Sequence, residues 1–139
     1  MINFNEYMKF STTNFFVFIF LFLSILGYTQ GISFEAKASK NNLGINERLR
    51  IDFTMNRNGD DFIPPDFLNF TVIGGPNQSV SNSWVNGKRT FSKTYTYFLS
   101  PQKKGLLKID QATVIIDDEV YKTIPIEINV SDAVDKPRD

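Results

Sequence analysis

Two carboxylate clusters, Asp60-Asp61 and Asp117-Asp118-Glu119, come closest to chemistry in this sequence. Paired carboxylates can divide the acid and base roles of glycoside hydrolysis or lend oxygens to a calcium shell. Both clusters lie among turn-forming residues, where neighbouring side chains diverge into water. A calcium ion takes about 6–8 oxygens converging on one point, which carboxylates that point apart on a turn do not supply. Turn solvation is the simpler reading. The sequence contains no His and no Cys. That removes Ser-His triads, Cys nucleophiles and nearly all zinc chemistry. No catalytic residue, metal site or cofactor is expected, and the chain is not expected to be an enzyme.

Two further groupings suggest binding. Arg48, Arg50, Lys88, Arg89, Lys103 and Lys104 are candidates for a basic patch. Phe91, Tyr95, Tyr97 and Phe98 are candidates for stacking on a sugar or a base. The chain balances 15 basic against 15 acidic residues. Neutrality favours a solvated face over a nucleic-acid footprint and gives no steering toward anionic lipid. Phe91, Tyr95 and Tyr97 share one parity in a long strand, so a core role is the plainer reading.

Residues 84–109 organise the rest. Asn86-Gly87 lies between two strand-like runs, and both residues tolerate the positive φ of a two-residue type I′ turn. Residues 89–99 follow as the longest strand, with Phe91, Tyr95, Tyr97 and Leu99 on one face. Lys93 shares that face and is expected to run its stem back to water near an edge. Ser100-Pro101 breaks the strand, and Gly105 turns the chain into the next.

Residues 32–39 read as an edge strand, 41–44 as a turn, and 48–55 as a half-buried strand with Leu49, Ile51, Phe53 and Met55 inward. Residues 56–66 read as a loop stiffened by Pro64-Pro65. Within it, Phe62 and Ile63 either plug one end of the domain or form a small exposed contact patch. Residues 67–73 are a strand that Gly74-Gly75-Pro76 should end, because Pro lacks the ladder donor. Residues 78–85 form an edge strand whose Trp84, the one tryptophan, is expected to be at least partly buried. Residues 106–109 and 112–116 are short strands. In residues 120–130, Ile124, Ile126, Ile128 and Val130 share a face, and Pro125 marks an edge or bulge. Seven or eight strands at this spacing indicate an all-β fold, an immunoglobulin-like antiparallel β-sandwich. No residue after 30 lies in a helical period of any length.

Residues 15–26 are almost wholly apolar. The run falls short of the roughly 20 residues of a spanning helix and fits the core of a secretory signal peptide. Domain boundaries follow: a signal peptide at 1–29, a β-sandwich at 30–130, and a polar tail or linker at 131–139. Without cysteine, core burial alone must hold the domain.

Pro64-Pro65-Asp66-Phe67, Phe70, Val72, Gly75-Pro76, Asn86-Gly87-Lys88, Tyr95, Tyr97, Leu99, Pro101, Gly105, Ile109, Ala112-Thr113-Val114 and the run 121–130 stand in an order that resembles the first extracytoplasmic domain of the BatD oxygen-tolerance family. The resemblance implies tandem immunoglobulin-like domains in the bacterial periplasm, facing the inner membrane. It also implies a later membrane anchor and partnership with von Willebrand A-domain and tetratricopeptide-repeat Bat proteins. It supplies no catalytic residues. The sequence ends at Asp139, so a fragment or truncated product is expected, with membrane contact only through an uncleaved signal or a missing C-terminal anchor. The function so implied is a non-enzymatic envelope interaction module. A carbohydrate-binding or adhesive module is the alternative. Candidate docking surfaces are the Pro-rich loop at 61–67 and the edge at 74–86, where an exposed strand can take on a strand from a partner. The candidate partner-binding residues are Asp61, Phe62, Ile63, Pro64, Pro65 and Trp84.

Overall fold

The computed structural model describes residues 31–135; the expected signal peptide and the end of the tail lie outside the described residues. Among the described residues ten strand segments occur: β1 Phe34–Ala38, β2 Asn42–Gly44, β3 Leu49–Met55, β4 Asp60–Ile63, β5 Phe70–Val85, β6 Lys88–Pro101, β7 Gly105–Ile109, β8 Thr113–Ile116, β9 Glu119–Lys122 and β10 Ile126–Ser131. One antiparallel sheet runs β1-β3-β6-β5. Two others run β4-β8-β9 and β2-β10-β7.

The two smaller sheets share one hairpin. β7 and β10 set Ile109 against Ile126, and β8 and β9 set Thr113 against Lys122. Counted outward from the Asp117-Asp118 turn, both ladders keep the same register. They are interrupted only opposite Pro125, which has no N–H to give. Thr123 bridges the gap. Its backbone N–H donates to Ala112 O, and the Ala112 N–H donates to Thr123 Oγ1, both at 3.0 Å. Read as two long strands, β7–β8 and β9–β10 reduce the segments to the expected eight. The order β1-β3-β6-β5 is then the A-B-E-D sheet of an immunoglobulin-like sandwich, and β4-β8-β9 is its C-F-G sheet. β2 adds a parallel strand beside β10.

Side chains of period two fill the space between the layers. Leu49, Ile51, Phe53 and Met55 of β3 are all inaccessible to solvent, and they meet Val114, Ile116, Ile109 and Ile128 in one core. Aromatic rings join the two layers: Phe62 of β4 stacks flat on Tyr95 of β6, 4.2 Å between centroids, and tilts against Phe53 of β3 at 5.6 Å. The opposite face of the large sheet is polar, with Thr96 Oγ1 donating to Asp52 Oδ1 at 2.6 Å and Arg50 pairing with Asp52.

Several local expectations are corrected. Residues 42–44 are a strand, and Leu43 is buried, because β10 supplies a parallel partner from the far end of the sequence. The loop at 56–66 contains β4, which pairs with β8 across a bulge at Asp61, whose φ is 48°. Gly74-Gly75-Pro76 does not end its strand: β5 continues through it after a register shift, which an edge strand tolerates. β6 likewise runs on through Pro101, which is buried at its last pair with Phe70. Ile124 is 82% exposed. The inward parity changes across the Pro125 interruption, so Ile128 and Val130 are buried on one side of it and Thr123 on the other.

Burial, and secondarily Tyr95, raises the Tyr97 hydroxyl above the ordinary tyrosine value. A raised value means that the fold favours the neutral phenol. Its contribution is complete below about pH 10 and is lost as pH rises through the folded value. Urea midpoints taken from about pH 8 to 11 should therefore fall more for the wild-type chain than for Tyr97→Phe, which keeps the ring and lacks the titrating group. Parallel pH profiles would remove Tyr97 from the alkaline transition.

Candidate functional site

β3 has 7 residues and β6 has 14, so half of β6 has no partner on that side. The last β3–β6 pair is Met55 with Lys93. Beyond it, β5 and β6 continue alone as a two-stranded arm closed by Asn86-Gly87, with φ of 50° and 75°. Both positive values belong to the type I′ turn expected from the sequence. The register from Asn77↔Thr96 to Val85↔Lys88 contains no slip.

Cross-strand pairing sorts the arm into two faces. Val80 opposite Lys93, Asn82 opposite Phe91, and Trp84 opposite Arg89 lie on one. Ser81, Ser83 and Val85, opposite Ser92, Thr90 and Lys88, lie on the other. The first face is the one that Tyr95 and Tyr97 turn toward the core lower on the same strand. On the arm nothing covers it. Trp84 is 72% exposed, which corrects the expectation of burial, and Val80 and Val85 are exposed as well. The base is fastened: Lys93 Nζ donates to Gly59 O at 3.0 Å and Asn58 Oδ1 at 3.3 Å, and lies over the Tyr95 ring.

The other candidate residues sit on β4 or, for Pro64 and Pro65, directly after it, and β4 belongs to a different sheet from Trp84. They are sequence neighbours with unlike surroundings. Asp61, Ile63 and Pro64 are exposed, Pro65 is buried, and Phe62 packs against the core between Tyr95, Phe53 and Phe34. Thus Ile63, at 61% exposure, is presented to solvent while Phe62 is an inter-sheet plug. A sugar platform of Trp84, Tyr95 and Tyr97 in a row is not formed, because Tyr97 is 6% exposed and Tyr95 lies beneath Phe62.

The carboxylate clusters have local duties. Asp117 and Asp118 supply the positive φ values of the β8–β9 turn, and Asp117 pairs with Arg57. Among the described residues no group of His, Cys, Asp or Glu is arranged to hold a metal ion. Arg50 and Lys104 are paired with Asp52 and Asp132, which breaks up the basic patch; of its other four members, Lys88 and Arg89 sit at the tip of the arm and Arg48 and Lys103 lie elsewhere. Val80 and Phe91 join Trp84 on the arm; Phe91 is a stacking candidate that the sequence reads more plainly as core, and Val80 is not singled out there. Their signal was the length of β6 against β3.

The sheet orders and the inter-layer aromatic plug define a β-sandwich module of immunoglobulin-like type. The family model for the BatD DUF11-like domain matches residues 36–130. The chain belongs to the BatD family. Comparison with curated proteins and with solved structures gave no match.

Proposed function

We propose that this chain is a non-enzymatic interaction module of the bacterial envelope. In this reading it is secreted through a signal peptide to the periplasm and binds von Willebrand A-domain and tetratricopeptide-repeat proteins in a complex that serves oxygen tolerance. The observation that carries the reading is the arm. A soluble domain gains no stability from holding a tryptophan at 72% exposure on a ribbon beyond its own sandwich. Tryptophan is among the residues most enriched at the energetic centres of interfaces. Family membership supplies the direction toward an envelope complex.

The test is in-cell cross-linking of the tagged full chain followed by mass spectrometry of the envelope fraction. Recovery of a von Willebrand A-domain or tetratricopeptide-repeat protein is expected from the wild-type chain. Trp84→Ala is expected to lower that recovery at least about tenfold, the effect of a modest hot spot, while leaving the thermal midpoint unchanged. Equal recovery from both chains would move the contact off the arm. No such protein from a folded wild-type chain would count against the module.

A further inference from the structure

The arm has two open edges, and they are guarded differently. The β6 edge carries Lys88 and Arg89, and cations discourage a further strand from pairing there. The β5 edge carries no charge at all across residues 77–85, and no proline or bulge after Pro76. A two-residue turn makes Val85 and Lys88 a hydrogen-bonded pair, and alternate pairs repeat that pattern. Gln78, Val80, Asn82 and Trp84 therefore aim their backbone N–H and C=O groups away from β6. Among the described residues, none of the bonds formed outside strand pairing involves these four backbones.

A second observation concerns charge. The chain is neutral as a whole, yet no Asp or Glu occurs in residues 67–109. The arm itself holds Lys88, Arg89 and Lys93 without a compensating acid, and Arg89 leans across to Asn82 Oδ1 at 3.5 Å, toward the open edge. A third concerns completeness. Two strands alone are marginal in water, and a third makes a sheet that can bury a face. Here that face would be Val80, Trp84 and Phe91.

We propose that the β5 edge is a β-augmentation site that takes an extended acidic segment of a partner polypeptide as a third strand beside residues 77–85. The inference rests on the interaction-module reading and names the chemistry of the partner. Main-chain bonds to Gln78, Val80, Asn82 and Trp84 give affinity. Apolar side chains of the added strand lie against Val80 and Trp84, and its carboxylates, turned to the alternate face, lie on the side of Lys88 within the field of a tip that carries Arg89 as well. A second copy of this chain is a poor occupant, because pairing two arms brings like charges together without an acid between them.

The experiment uses the full chain held in neutral bicelles. Its probe is an end-blocked nine-residue peptide that alternates glutamate with valine, and the control carries lysine in place of glutamate. Trp84, the one tryptophan, is the reporter. The acidic peptide should shift Trp84 emission to the blue and protect the amides of Gln78, Val80, Asn82 and Trp84 from exchange. The lysine peptide should do neither. Asn82→Pro removes an outward N–H without touching the β5–β6 ladder, and should weaken binding at least tenfold. Lys88→Glu combined with Arg89→Glu should reverse the preference between the two peptides and covers the case in which the proline variant misfolds.

Absence of a response to either peptide, or equal binding by Asn82→Pro, would overturn the proposal. So would a concentration-dependent dimer that protects the same amides, or a larger emission shift in phosphatidylglycerol bicelles that Asn82→Pro retains. The same variant in the envelope cross-linking experiment separates the two readings. A partner still captured by Asn82→Pro leaves the module standing and removes the edge as its site.

Discussion

Phe62→Asp is expected to destabilise the domain by about 3 kcal/mol, the lower end of the range for losing a core phenylalanine, because the ring is partly buried. Ile63→Asp, one residue away, is expected to stay within about 0.5 kcal/mol of wild type. The Phe62 ring lies flat on Tyr95 at 4.2 Å, tilts onto Phe53 at 5.6 Å and meets Phe34 edge-on at 6.3 Å. It is thus the ring through which β4 of one layer is fixed to β1, β3 and β6 of the other. Aspartate forfeits those contacts and places a carboxylate against three aromatic rings, with Lys93 over Tyr95 already engaged by Gly59 O and Asn58 Oδ1. The cost of desolvating it adds to the cavity. Domains of this size have about 5–15 kcal/mol in hand, so Phe62→Asp consumes much of that margin. Ile63 points outward and loses nothing comparable. Urea melts followed by far-ultraviolet circular dichroism decide the matter, since Trp84 is too exposed to report on the core. Equal midpoints for the two variants would show that the aromatic plug does not join the layers.

That contrast also shows where the sequence could be read and where it could not. Alternation in residues 48–55 placed Leu49, Ile51, Phe53 and Met55 inside without ambiguity, because a strand of period two with one solvated face carries its own instructions. The two turns at Asn86-Gly87 and Asp117-Asp118 were legible for the same local reason. What was missed depends on partners distant in sequence. Residues 42–44 look like a turn until β10 lies parallel to them, and residues 60–63 look like loop until β8 pairs with them antiparallel. Phe62 and Ile63 are both apolar, and only the bulge at Asp61 decides which of them turns inward.

Trp84 was misjudged for a related reason. Its position in a strand with aromatic neighbours suggests a core, yet burial also needs an opposing layer. β3 ends at Met55, before the arm begins. The sequence names the edge at residues 74–86 and Trp84 as a docking surface, but that the edge stands on an arm beyond the sandwich was present only as a mismatch of strand lengths. Its charge asymmetry was hidden behind a net charge of zero.

Gly75→Ala is the second large effect expected, and it tests how the arm is aimed. Gly75 has φ of 99°, a conformation that costs a side-chain-bearing residue about 1–3 kcal/mol. An added Cβ would stand 2.5 Å from Thr96 O and 3.0 Å from Tyr97 Cα. Both neighbours are backbone of β6, which is held on its other side by β3, so neither can swing away as a side chain tip would. The overlap adds to the conformational cost, and the ladder must open between Val72 and Asn77, where the register shifts. Each kcal/mol lowers the thermal midpoint of a domain this size by about 4–8 °C. Gly74→Ala is the control: its Cβ meets only the Phe98 ring, at 3.4 Å, and φ there is not in the left-handed region. Gly75→Ala should also lose amide protection across Ser79, Ser81 and Ser83, whose bonds to β6 depend on the register set below them. Trp84 emission should not change, because that side chain is already in water. If Gly75→Ala melts and exchanges like Gly74→Ala, β5 can leave β6 at the bulge without disturbing the ladder above it, and the register of the arm is then set at the Asn86-Gly87 turn instead.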